Sequence, residues 1–213
     1  MFSKGQKPTV PVPTPSSAVA RPGEDSTATS TVFPKFLTAV GRLERPILLD
    51  LGPVVGPNVE FFGGRLTCKL YIGDLFREVE IAARSVSRSG LLPALLKRLD
   101  HGPESVDGIL CWDLFDYLDR PTGLAVARQL ETLLRRGGAL YGFFGTMAAD
   151  VKHYTRYVVE KENKFQLRPY PAMPAKRNVL VTRDINNMFD RLILADSVLL
   201  KSGTRETLFR RPA

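Results

Sequence analysis

Residues 45–58 read RPILLDLGPVVGPN, and this stretch sets the architecture. Arg45–Leu51 is a compact apolar run closed by Asp50 and Gly52, which suits a strand buried on both faces. Gly52 and Gly56 bracket a loop that Pro53 and Pro57 stiffen. The NVEFFGGRL that follows has the texture of one or two helical turns, with Asn58 as their cap. A strand feeding a glycine loop and then a helix is the opening unit of a parallel α/β sheet.

The same alternation continues toward the C-terminus. Leu66–Ile72 (LTCKLYI) predicts a second strand that stops at Gly73-Asp74, and Leu91–Leu99 has helical spacing. Val106–Trp112 (VDGILCW) predicts another buried strand. Thr122 or Gly123 opens a helix with Leu124, Ala127, Leu130, Leu133 and Leu134 on one face; Gly137-Gly138 ends it, and Ala139–Phe144 follows as a strand. Only 33 residues separate Asp74 from Asp107, which is short for a helix, a strand and a helix. The strand expected there either shrinks to Val79–Ala82 or is missing. Thr182–Leu194 reads as a capped helix, and Asp196–Lys201 and Thr204–Arg210 as two strands joined at Ser202-Gly203. Upstream, FLTAVGRL (36–43) reads as a short helix, and residues 1–31 as a disordered Pro/Ser/Thr-rich tail. The expectation is an α/β domain over residues 32–213: a mostly parallel twisted sheet, helices on both faces, and a C-terminal antiparallel hairpin.

Composition narrows the function classes. The chain has 213 residues, 44% hydrophobic and 24% charged, enough for a substantial core. Its two cysteines, Cys68 and Cys111, sit inside apolar runs without zinc-ligand spacing, so they read as buried thiols in a reducing compartment. No apolar run approaches the roughly 20 residues of a membrane span, and no hydrophobic segment follows the N-terminal basic residues. The expected location is cytoplasmic. The net charge of +8 is uneven: residues 1–151 hold 17 Lys+Arg against 16 Asp+Glu, residues 152–213 hold 13 against 6. Singly spaced charges of this kind read first as a solvated edge. A nucleic-acid surface is the other reading, with Tyr154, Tyr157 and Tyr170 interleaved among Lys152, Arg156, Lys161 and Arg168.

In an open α/β sheet, ligands bind beyond the carboxyl ends of the strands. Three places would converge there: the loop from Asp50 to Gly56, Asp74, and Trp112-Asp113. The D-x-G-x-x-x-G of Asp50, Gly52 and Gly56, Asp74 placed 18 residues beyond, DGILCWDLFDYL (107–118), LETLLRRGGALYGFF (130–144) and the closing hairpin together resemble class I S-adenosylmethionine-dependent methyltransferases across roughly residues 36–211. That resemblance implies S-adenosylmethionine as cofactor, held by Asp50, Gly52, Gly56, Asp74, Trp112 and Asp113, with Asp74 on the ribose. It also implies methyl transfer to an unidentified acceptor, a small molecule before a nucleic acid. The chain departs from the family at Val54, where the middle glycine of the first motif stands, and a side chain there narrows the space for the cofactor's methionine portion.

Methyl transfer from an activated sulfonium asks mainly for positioning, so no catalytic residue is legible. His101 and His153 read as structural or surface residues. Trp112 either stacks on an adenine or fills the core under the loop. Two other classes stay open: a non-catalytic methyltransferase-like interaction module, and, last, a nicotinamide-dependent oxidoreductase, for which G-x-G-x-x-G is lacking.

Overall fold

The computed structural model describes residues 26–85, 88–147 and 149–213, without the side chains of 149–153 and 170–177. Its centre is a six-stranded sheet built from β2 (Ile47–Asp50), β3 (Lys69–Ile72), β4 (Val106–Trp112), β5 (Leu134–Gly145), β8 (Ile193–Leu199) and β9 (Thr204–Arg210), in the order β3-β2-β4-β5-β9-β8. The pairs β2–β3, β2–β4 and β4–β5 are parallel; β9 runs antiparallel to both β5 and β8. The expected fold class, a mostly parallel sheet closed by an antiparallel hairpin, is what the chain adopts.

Helices cover both faces. α1 (Phe33–Val40) and α2 (Gly56–Leu66) lie on one; α3 (Leu75–Arg84), α4 (Leu91–Arg98), α5 (Arg120–Leu133) and α6 (Thr182–Met188) lie on the other. β4 shows why a continuous apolar run was needed. Ile109 and Cys111 enter the core with α3–α6, while Leu110 and Trp112 enter the core with α1 and α2. Gly108 is fixed by this packing, because a Cβ there would stand 2.6 Å from Leu48 Cδ2. Val79–Ala82 belongs to α3, so among the described residues no strand lies between β3 and β4, the second of the two outcomes that the short spacing left open.

Several boundaries differ from expectation. The folded chain begins earlier than residue 32: Ser26–Thr29 forms β1, pairing antiparallel with Lys164–Leu167. Residues 1–25 lie outside the described part. α5 opens at Arg120, capped by Asp119, whose carboxylate accepts the Thr122 N–H at 2.8 Å. The helix at the C-terminal end is α6 alone, and Leu194 already belongs to β8.

The largest addition is a long hairpin, β6 (Ala149–Lys161) and β7 (Lys164–Arg177), which with β1 makes a second sheet in the order β1-β7-β6. It is pinned to α2 by Asn58, which does not cap the helix but lies inside it, 2% exposed. Asn58 Nδ2 donates to Tyr157 O at 2.9 Å, and its Oδ1 accepts the Val159 N–H at 2.8 Å. Asn58→Ala would leave both buried backbone groups unmet, and urea unfolding should show a loss of about 2–4 kcal/mol. A loss under about 0.5 kcal/mol, the scale of an ordinary surface substitution, would mean that the hairpin is held elsewhere.

Candidate functional site

The chain runs from β2 outward to β3 and then returns to β4 on the other side of β2, so the strand order reverses between β2 and β4. A crevice at the carboxyl ends of those two strands is where this architecture holds ligands. Asp50 ends β2 and Trp112 ends β4, and the two meet there.

The Asp50 carboxylate is 3% exposed. Its Oδ1 accepts the Gly52 N–H at 2.8 Å and the Trp112 Nε1–H at 2.6 Å. The indole lies directly on the glycine loop: a Cβ added to Gly52 would stand 2.7 Å from Trp112 Cδ1 and 2.8 Å from Nε1. Gly52 is therefore required by the chain's own tryptophan. Trp112 is itself 3% exposed and has φ 49°, a left-handed conformation that costs a bulky residue about 1–2 kcal/mol. Its outer face stacks on Tyr157, with centroids 5.3 Å apart and planes 7° apart, and Tyr157 stacks in turn on Phe143 at 4.7 Å and 13°.

The other expected ligand-holding residues are distributed around this plug. Asp74, also at positive φ (47°), is half-buried at the end of β3 and makes no cap bond to α3. It adjoins Asp50 through the Gly73 N–H, which donates to Asp50 O at 2.7 Å. Gly56 is exposed at the start of α2, with nothing within 4 Å of where its Cβ would be, and Val54 beside it is 62% exposed. Asp113 is fully buried, its Oδ2 accepting the Tyr117 O–H at 3.2 Å. Tyr154 is a core residue packing edge-on against Phe76 and Tyr117, and Tyr157 stacks between Trp112 and Phe143. His153 and Tyr170 fall among the side chains outside the described part. Among the described residues no cluster of His, Cys, Asp and Glu suits a metal, and no helix is long and apolar enough to cross a membrane.

Burial dominates the electrostatics here. Desolvation pushes the Asp50 carboxyl from its ordinary 3.8 up to about 6; the Trp112 and Gly52 donors pull against it, and Asp74 adds a further push. The Cys111 thiol is raised as well, first by burial and then by the Asp50 charge. A second buried acid, which the sequence did not reveal, is Glu206 on β9. It is fully buried, accepts hydrogen bonds from Ser30 Oγ and Tyr141 Oη, and is raised above its ordinary value by desolvation. It anchors the start of α1, since Ser30 Oγ also accepts the Phe33 N–H at 2.7 Å.

The strand order, with antiparallel β9 inserted between β5 and β8, is the hairpin-closed order that the resemblance to class I methyltransferases implies, without a strand between β3 and β4 among the described residues. Solved structures of that fold are similar to this chain at the level of fold. An S-adenosylmethionine-dependent methyltransferase from Clostridium acetobutylicum is 13% identical, with 85% of this chain and 92% of that one covered at a TM-score of 0.49. The CcbJ methyltransferase of Streptomyces caelestis is 13% identical, covering 87% and 91%, TM-score 0.48. The 1,6-didemethyltoxoflavin-N1-methyltransferase of Burkholderia thailandensis, solved with bound 1,6-didemethyltoxoflavin and S-adenosylhomocysteine, is 13% identical, covering 86% and 80%, TM-score 0.47. No family model and no curated protein matches the chain.

The resemblance read from the sequence implies S-adenosylmethionine, and at the crevice the chain's own groups already engage two of the residues expected to hold it, Asp50 and Gly52. The space against Gly52 holds an indole, and the accepting Oδ1 of Asp50 already takes two donors.

Proposed function

We propose that this chain keeps the methyltransferase fold as a non-catalytic interaction module. One observation carries the reading: Trp112, bonded to Asp50 and packed on Gly52, closes the crevice at the switch point with the chain's own side chain. The binding surface then moves to the far side of the ring stack. There a cavity of about 630 Å³ lies between β1, the β6–β7 hairpin and the β8–β9 turn. Phe143 and Tyr157 give it an apolar floor; Ser26, Thr155 and Thr204 supply hydroxyls, and Lys201 is a charged lining residue. Such a lining suits a small ligand with a flat apolar face.

A second reading, S-adenosylmethionine-dependent methyl transfer to a small-molecule acceptor, is favoured by Asp74. This carboxylate stands uncapped at the end of β3, where such a fold would hold a ribose.

Calorimetric titration with S-adenosylmethionine and with S-adenosylhomocysteine separates the two. The module reading expects no heat, no thermal shift and unchanged emission from Trp112, the chain's single tryptophan. Micromolar binding with a change in that emission would instead establish the second reading, and Asp74→Ala should then weaken binding by about 1–3 kcal/mol.

A further inference from the structure

Arg205 lies in β9, held between Phe144 of β5 and Leu199 of β8 in register. It lines a cavity of about 160 Å³ together with Thr146, Val179, Leu180, Val181 and Thr182. The guanidinium is under-used. Among the described residues its Nε is buried without a hydrogen-bond partner, and its one side-chain hydrogen bond is a long one, Nη1 to Ser197 Oγ at 3.4 Å. No acid among the described residues pairs with it, whereas Arg128 holds Asp190 and Glu131, and Arg135 holds Asp107 through both carboxylate oxygens. Buried donors are almost always met, and one left unmet beside a cavity calls for an acceptor. The planar fork of an arginine matches an oxyanion better than any other partner.

The position is also suited to a ligand. Thr146 follows β5 and Gly203 precedes β9; the Thr146 N–H and Oγ–H both donate to Gly203 O, at 3.0 and 2.6 Å, which fixes one wall of the cavity. These residues lie at the same sheet edge as the crevice, where ligands of open α/β sheets enter. Val179, Leu180 and Val181 make the remaining wall apolar.

We propose that this cavity binds the oxyanion of a small ligand against Arg205, a carboxylate on a short apolar body in preference to a bare phosphate. The site does not depend on whether the crevice takes a cofactor. The full chain would be titrated with sodium isobutyrate and, separately, with inorganic phosphate, at constant ionic strength balanced by chloride. Amide NMR shifts and melting temperature are the readouts. A saturable isobutyrate response centred on Thr146, Leu180 and Thr182 is expected, with phosphate binding more weakly. Arg205→Gln should weaken isobutyrate about tenfold or more, the loss of a charge-assisted pair, Arg205→Lys should weaken it less, and Lys97→Gln, at an exposed position on α4, should leave it unchanged. Phosphate binding alone would assign the same site to a phosphorylated ligand and overturn the preference for a carboxylate. No saturable shift with either anion, or the same response in Arg205→Gln, would overturn the site. Should Arg205→Gln fail to fold, the location of the shifts in the unmodified chain decides.

Discussion

Trp112→Gly is expected to open the crevice and convert a chain that gives no heat with S-adenosylmethionine into one that binds it. The indole is the group lying on Gly52, and removing it frees both that glycine and one acceptor position on Asp50, with Asp74 already standing beside them. Stability should fall at the same time. Truncating a buried tryptophan costs about 3–5 kcal/mol, offset by about 1–2 kcal/mol because glycine adopts φ 49° without the strain a side chain meets there. Added ligand should recover part of that loss, since a ligand bound only by the folded chain raises its melting temperature. Trp112→Phe is the control: it loses the Nε1–H donor but keeps a ring over the loop, so it should remain unresponsive. A folded Trp112→Gly that gives no heat would show that Val54 and the hairpin, not the indole, close the site.

This outcome is hidden from the sequence for a physical reason. Asp50, Gly52 and Trp112 are legible because strands buried on both faces read as apolar runs, and their ends carry the acids and glycines that a crevice requires. What the indole does there is set by Tyr157, which belongs to a different sheet and whose stacking decides which way the Trp112 side chain lies. The hairpin that carries Tyr157 was itself illegible. Pro169, Pro171 and Pro174 argue against a strand anywhere in residues 164–177. The structure resolves the conflict by register: β1 pairs with Lys164–Leu167, so the prolines fall where, among the described residues, β7 pairs with β6 alone. β1 was missed because STAT is short, small and polar, and its pairing with β7 supplies what its side chains do not. Glu206 is a further case. Nothing in TRETLFR marks one acid as buried until Ser30 and Tyr141 are brought to it from distant parts of the chain.

Asp50→Asn is expected to flatten the stability profile of the protein between about pH 4 and 6. The Asp50 carboxyl titrates near 6 in the folded chain and near 3.8 when unfolded. Across that window the folded state keeps a proton that the unfolded state has released, so unfolding stability falls as pH rises and levels off above 6. A difference of about two pH units corresponds to a cost on the order of 3 kcal/mol, fully present at neutral pH. Asparagine carries no charge to desolvate, and its Oδ1 still accepts from Gly52 and Trp112. The variant should therefore gain relative to the parent at pH 7 and match it near pH 4, less whatever its new amide hydrogens cost if they find no acceptor. The groups that face Asp50 do not mimic this signal: Asp74 shifts it upward through its own charge, and burial keeps the Cys111 thiol neutral through this range. Glu206, raised in the same direction, contributes a parallel slope that remains in Asp50→Asn and disappears only in Glu206→Gln. Urea midpoints of parent and variant measured from pH 4 to 8 test this. Parallel profiles would show that Asp50 is solvated, and the crevice would then be open to water despite the indole over Gly52.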